Sequence, residues 1–224
     1  MTRIVIFAKA PQPGSVKTRL IPALGADGAA TLARRLLAHT LSQALAADLG
    51  EVELCMSPGP GDCAWQGVAL PNDVLLTRQG EGDLGERMAR AVRRSTQHTE
   101  SAPKPVMLIG TDCPALTALL SKQAAQQLAH HDAVLLPAHD GGYVLLGLKS
   151  PCPELFEHMA WSTSVVAFET LQRMTALNMR VWQGPTLHDI DDPDDLQHMP
   201  DFFNIPSNLT KPQADGPIDC HASC

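Results

Sequence analysis

The chain has 224 residues, of which 44% are hydrophobic and 18% charged, the balance of a globular protein rather than a disordered one. A net charge of −7 and a sequence pI near 5.6, without a basic stripe, argue against general nucleic-acid binding. No apolar stretch approaches the roughly 20 residues that span a bilayer, which argues against a membrane protein.

Arg3 to Ala8 reads as a buried first strand. It is too short for a signal sequence and runs straight into Lys9 and two prolines, so a cytoplasmic location is expected. Lys9 to Pro22 is a loop with three prolines and Gly14, and a long amphipathic helix follows from about Ala26 to Leu49, with Gly50 as its C-cap. Glu51 to Met56 is a second strand, stopped by Ser57-Pro-Gly-Pro-Gly61, and Val74 to Thr77 a short third one. Asp83 to Arg94 is a helix opened by a capping box of Asp83 and Glu86. Pro103-Lys-Pro105 breaks the chain before Val106-Met-Leu-Ile109, an apolar run that fits a buried central strand.

Thr117 to His130 is the next helix, and Ala133 to Pro137 and Tyr143 to Leu148 are strands joined by His139-Asp-Gly-Gly142. Ser162-Thr-Ser164 is expected to cap a helix that runs to about Ala176. Met179 to Gln183 is a short strand, and Pro193 starts a short helix. From Phe203 onward Pro, Asn, Asp and Gly dominate, which predicts a loosely ordered tail over 203–224 behind a single domain over 1–202. The alternation of strands and helices predicts a three-layer α/β/α fold with a mostly parallel, mixed central sheet. Cys55, Cys63, Cys113 and Cys152 show no CxxC pairing, and Cys220-His221-Ala-Ser-Cys224 on the tail reads as incidental.

Three constellations carry the chemistry. Gly110-Thr111-Asp112 places a carboxylate at the C-terminal lip of the central strand, where open α/β sheets bind ligands; capping of the following helix is the alternative role. Lys9 to Leu20 offers backbone N–H groups, two lysines and an arginine beside a helix N-terminus, as pyrophosphate binding requires, although a solvated basic loop has the same composition. It has neither the Walker spacing nor GxGxxG. Asp189-Ile-Asp191-Asp-Pro-Asp-Asp195 holds five acids, more than the cap of a short helix needs. Mg²⁺ or Mn²⁺ prefers hard oxygen donors, so Asp112 and Asp191 are the expected metal ligands. Asp140, at the Gly-Gly turn, is a base, a third metal group, a sugar-hydroxyl acceptor or only a turn former; His139 beside it is a weaker candidate. Asp83 and Arg87 are binding candidates on a glycine-rich loop, and Trp161 is either a helix-start staple or a stacking surface for a base or sugar.

In this order, Phe7-Ala-Lys-Ala-Pro-Gln-Pro-Gly-Ser-Val-Lys-Thr-Arg-Leu20, Asp83-Leu-Gly-Glu-Arg-Met88, Gly110-Thr-Asp-Cys-Pro114, Asp140-Gly-Gly-Tyr143, Trp161-Ser-Thr163 and Asp189-Ile-Asp-Asp-Pro-Asp-Asp-Leu196 resemble the bacterial GT-A-like glycosyltransferase family described as radical-SAM/selenodomain-associated transferase 1, or arsenosugar-biosynthesis glycosyltransferase-like. That family sits in the nucleotide-diphospho-sugar transferase superfamily. The resemblance spans about residues 3 to 200 and implies a GT-A-type fold, metal contacts at Asp112 and Asp191, and a first loop wrapped around nucleotide phosphates. By that reading Ala8, Lys9, Pro11, Gly14, Lys17, Arg19, Asp83, Arg87 and Thr111 bind the nucleotide or its phosphates, and Asp112, Asp140 and Lys17 are catalytic. One departure is plain: where glycosyltransferases carry Asp-x-Asp, this chain reads Asp112-Cys113-Pro114, which leans toward nucleotidyltransferase geometry. The expected function is a metal-dependent transferase with a nucleotide or nucleotide-sugar donor and a small-molecule acceptor, glycosyltransferase-like first and nucleotidyltransferase second. A non-catalytic nucleotide-binding partner protein is a further alternative, and a hydrolase ranks last. Oligomeric state is not legible.

Overall fold

The computed structural model of the protein describes residues 1–97, 104–200 and Phe203. Seven strands form one sheet: β1 (Arg3–Lys9), β2 (Val52–Ser57), β3 (Val74–Arg78), β4 (Val106–Ile109), β5 (Ala133–Pro137), β6 (Tyr143–Leu148) and β7 (Val181–Gln183), in the order β3-β2-β1-β4-β6-β5-β7. All pairs are parallel except those of β6, which runs against both β4 and β5. Among the described residues the α-helices are α1 (Ile21–Ala46), α2 (Leu84–Gln97), α3 (Ala118–His130) and α4 (Val166–Ala176).

Strand side chains alternate between faces, and both faces are covered. Ile4, Ile6, Leu54, Met107 and Val134 join Leu37 and Leu41 of α1 and Leu128 of α3 in one core layer. Val5, Leu108, Leu135 and Leu146 join Met88 of α2 and Met174 of α4 in the other. Each fully buried aliphatic side chain contributes about 1.5–3 kcal/mol. A third cluster packs Leu20, Leu24, Leu32 and Leu36 around Ile190 and Phe203, and it carries the acidic segment across to the start of α1. Among the described residues no helix is long and apolar enough to cross a membrane.

Several local expectations need correction. α1 begins earlier than its apolar period suggests, at Ile21 with Pro22 in its first turn, and tolerates a break at Gly25, whose φ of 72° only glycine adopts easily. It ends at Ala46, and the left-handed turn expected of Gly50 falls to Asp48, with φ 47°. The hydroxyls of Ser162, Thr163 and Ser164 do not cap α4: its N-cap is Val165, without a side-chain bond, and Thr163 Oγ1 donates to the Ala160 carbonyl instead. The acidic segment opens a 3-10 turn at Pro193–His198 behind a capping box of Asp192 and Asp195. Phe203, expected at the head of a loose tail, is buried at 4% exposure; Pro103 and the Cys220–Cys224 motif lie outside the described residues.

Candidate active site

Strand order reverses between β1 and β4, and in open α/β sheets the crevice at such a switch point binds ligands. Two segments leave the sheet there, Ala10 to Leu20 after β1 and Gly110 to Asp112 after β4. A third, around Ile190, is tied to them because the Ile190 amide donates to the Asp112 carbonyl at 2.9 Å. Ile190 is fully buried and anchors the acidic segment at this point, between Asp189 and Asp191.

Asp112 and Asp191, 79 residues apart in the chain, meet on one cation. Lys17 Nζ lies 2.5 Å from Asp112 Oδ1 and 2.7 Å from Asp191 Oδ1, and it donates to the Ile190 carbonyl at 2.6 Å. The Lys17 side chain is only 6% exposed and its backbone takes a left-handed φ of 48°. Burial pulls its pKa down, but Asp112 and Asp191 together outweigh that and leave it above the ordinary lysine value. Three hard oxygens therefore converge on one point. That donor set fits Mg²⁺ or Mn²⁺ as well as an ammonium, with phosphate oxygens completing the shell. Among the described residues no group of three or more His, Cys, Asp or Glu is arranged to hold a metal by itself.

A cleft of about 570 Å³ opens over this point. Of the expected residues, Ala8, Lys9, Lys17, Arg19, Thr111, Asp112, Asp140 and Asp191 line it. Pro11, Gly14, Asp83 and Arg87 do not. Pro11 gives its carbonyl to Arg34; Asp83 caps α2 in a reciprocal bond with Glu86; Arg87 donates to the Gly82 carbonyl and to Gln79 Oε1. Ser15, Thr18, Gln79 and the Ser162–Ser164 stretch also line the cleft. Gln79 is buried, with its amide nitrogen donating to the Ala8 and Cys55 carbonyls. Gly141 lets the Asp140 turn meet the Ser162–Ser164 stretch: its φ is 91° and a Cβ there would lie 1.9 Å from the Ser164 carbonyl oxygen.

Sequence reasoning passed over Asp189 as one acid among five. It lines a second, smaller cavity beside the cleft, and its Oδ1 is buried without a hydrogen-bond partner among the described residues. Burial first, then the negative Asp112, Asp140 and Asp191, with Lys17 offsetting part, push its carboxyl up to about 8. The available signal was the alternation Asp189-Ile190-Asp191, which puts both acids on one side of an extended segment. His139, His188 and His198 stack in a column outside the cleft, with centroids 3.7 and 3.8 Å apart. Trp161 borders the second cavity rather than the first.

Residues 40–163 match the family described as "Uncharacterized protein conserved in bacteria (DUF2064)". No curated protein matches the chain. Among solved structures the chain is similar to a protein of Desulfovibrio desulfuricans G20 whose assignment as a nucleotide-diphospho-sugar transferase is provisional. Identity is 33% over 87% of this chain and 84% of that one, with a TM-score of 0.79. It shares its fold with a nucleotidyl transferase from Methanothermobacter, at 17% identity, 91% and 97% coverage and TM-score 0.55. The same holds for Rv0371c of Mycobacterium tuberculosis H37Rv, solved as a manganese complex, at 14% identity, 88% and 96% coverage and TM-score 0.53. The three-layer fold with its mostly parallel mixed sheet is thus that of the nucleotide-diphospho-sugar transferases.

Proposed function

The chain belongs to the DUF2064 family, and from that premise we propose that it is a divalent-cation-dependent transferase using a nucleotide-activated donor, with glycosyl transfer to a small acceptor as the leading reaction. One observation carries the reading: Asp112 and Asp191 converge on the single cationic point held by Lys17, at the floor of a cleft lined by Lys9 and Arg19. Support also comes from the similar Desulfovibrio protein and from the manganese held by one relative of the same fold.

Asp112, Asp191 and the Ile190 carbonyl would hold Mg²⁺ or Mn²⁺. The ion, when bound, neutralises charge on a leaving diphosphate. Lys17, released from the acids, adds a second positive charge from the same loop, and Arg19 and Lys9 attract the phosphates at the rim. In glycosyl transfer the acceptor hydroxyl oxygen bonds to the sugar C1 while the C1–O bond to the diphosphate breaks, its electron pair leaving with the diphosphate. The hydroxyl proton passes to a carboxylate. We assign that role to Asp140, which borders both cavities.

A second reading, nucleotidyl transfer, is favoured by the missing acid of Asp-x-Asp, here Pro114. The two differ in product. The protein is incubated with labelled nucleoside triphosphates and nucleotide sugars in the presence of Mg²⁺ or Mn²⁺. Pyrophosphate release marks nucleotidyl transfer, and nucleoside diphosphate release marks glycosyl transfer. Asp112→Asn and Asp191→Asn each lower turnover by roughly 100-fold or more and abolish cation-dependent nucleotide binding. Nucleotide binding indifferent to both substitutions would leave a non-catalytic binding protein and end the transferase reading.

A further inference from the structure

The second cavity holds about 230 Å³ and shares Phe7, Leu84, Gly110, Asp140, Ser162 and Thr163 with the larger cleft, so a molecule in it abuts whatever lies beside Lys17. Its body is apolar and aromatic, built by Phe7, Met88, Tyr143, Val144, Trp161 and Val166. Trp161 can pack there because position 85 is glycine: a Cβ would lie 2.8 Å from the indole nitrogen. Among the described residues the Tyr143 hydroxyl finds only the Met88 sulfur, at 3.7 Å, so the wall it forms is close to apolar. The polar groups are Asp140, Asp189 and the hydroxyls of Ser162 and Thr163.

None of the described residues lining this cavity is lysine, arginine or histidine, whereas the cleft beside it carries Lys9, Lys17 and Arg19. The two compartments differ in what they accept. A phosphate or carboxylate moved into the smaller one would give up water to a largely apolar lining that offers no lysine, arginine or histidine side chain to receive it. A hydroxyl would find hydrogen-bond acceptors. A ring or branched alkyl body would bury apolar area worth about 25 cal/mol per Å².

From this contrast we infer that the smaller cavity is the acceptor subsite and that the acceptor is an uncharged alcohol with a compact apolar body, not a phosphomonoester. The inference rests on the transferase reading and selects within it. An acceptor without phosphate suits glycosyl transfer to a hydroxyl and not the joining of a nucleotide to a phosphorylated molecule.

The test uses matched probes, benzyl alcohol and benzyl phosphate, titrated into the full chain without added divalent cation. Trp161 reports occupancy, since Trp65 and Trp182 lie outside the cavity. Benzyl alcohol changes the tryptophan emission saturably, Trp161→Phe removes that change, and benzyl phosphate binds at least roughly ten-fold more weakly, about 1.4 kcal/mol. Leu84→Lys, at a position 42% exposed on the shared wall, narrows the gap by supplying a cation. Benzyl phosphate binding as tightly as the alcohol overturns the inference. So does the absence of a saturable response to the alcohol in protein whose near-ultraviolet circular dichroism is native. Asp112-dependent nucleotide binding is measured alongside. If it persists while alcohol binding fails, only the acceptor assignment falls; if it fails as well, the transferase reading falls with it.

Discussion

Lys17 shows what one side chain does in this site. A left-handed backbone costs a lysine about 1–2 kcal/mol, and it is held because the three ammonium protons meet three oxygens, on Asp112, Asp191 and Ile190. Removing the ammonium in Lys17→Met leaves two carboxylates facing each other. The acids are 43% and 37% exposed and can draw in water, so the expected loss is about 1–2 kcal/mol rather than the larger cost of breaking a fully buried pair. Millimolar Mg²⁺ or Mn²⁺ should restore most of it in the variant while stabilising the parent less. Urea unfolding with chelator and then with cation checks this, and a variant that ignores the cation would contradict a shared site. The two acids were candidates in the sequence for different reasons: Asp112 closes the apolar run Val106–Ile109 after Gly110 and Thr111, and Asp191 belongs to a segment with more acids than a helix cap needs. That Lys17, and not an open phosphate, sits between them was not legible, because the contact joins residues 174 apart.

At the scale of elements, short apolar runs announced the strands, but they hid the exception inside β2. Glu53 lies within that strand with no exposed surface, on the face covered by α2. Arg94 of α2 binds it directly, Thr77 of β3 donates to it at 2.6 Å, and Arg3 of β1 reaches it at 3.4 Å. The buried acid therefore staples three neighbouring strands to one helix. Glu53→Ala strands Arg94 without its partner and should cost about 3–5 kcal/mol. Glu53→Met combined with Arg94→Met should recover most of that loss, because a hydrophobic replacement of both partners avoids the unpaired charge. Denaturant midpoints of the two variants decide it; equal losses would show that packing, not the ion pair, sets the cost. Loop geometry was the less legible part. The Ser162–Ser164 hydroxyls fit a cap by composition, but the close approach to Gly141 turns that stretch into a wall of the cleft, a long-range contact that local hydrogen-bonding preference does not register.

For the molecule as a whole, the question is how an acidic chain of net charge −7 would hold the anionic donor we propose for it. The answer is segregation. Lys9, Lys17 and Arg19 sit on one loop at one end of the sheet, and a bound divalent ion adds charge at the same place. Three segments far apart in sequence, after β1, after β4 and before Pro193, would then share one ligand. A nucleoside diphosphate with Mn²⁺ at 100 times its dissociation constant should stabilise the fold by about 2.7 kcal/mol, and neither component alone should match that. Hydrogen exchange gives the spatial test. Backbone amides at 12–20, 110–112 and 189–191 should slow together when both components are present, and those of β3 at the sheet edge should not. Slowing of the first loop alone would mean that the phosphates bind without the acids, and the pairing of Asp112 with Asp191 would then be a lysine-held structural contact rather than the floor of a donor site.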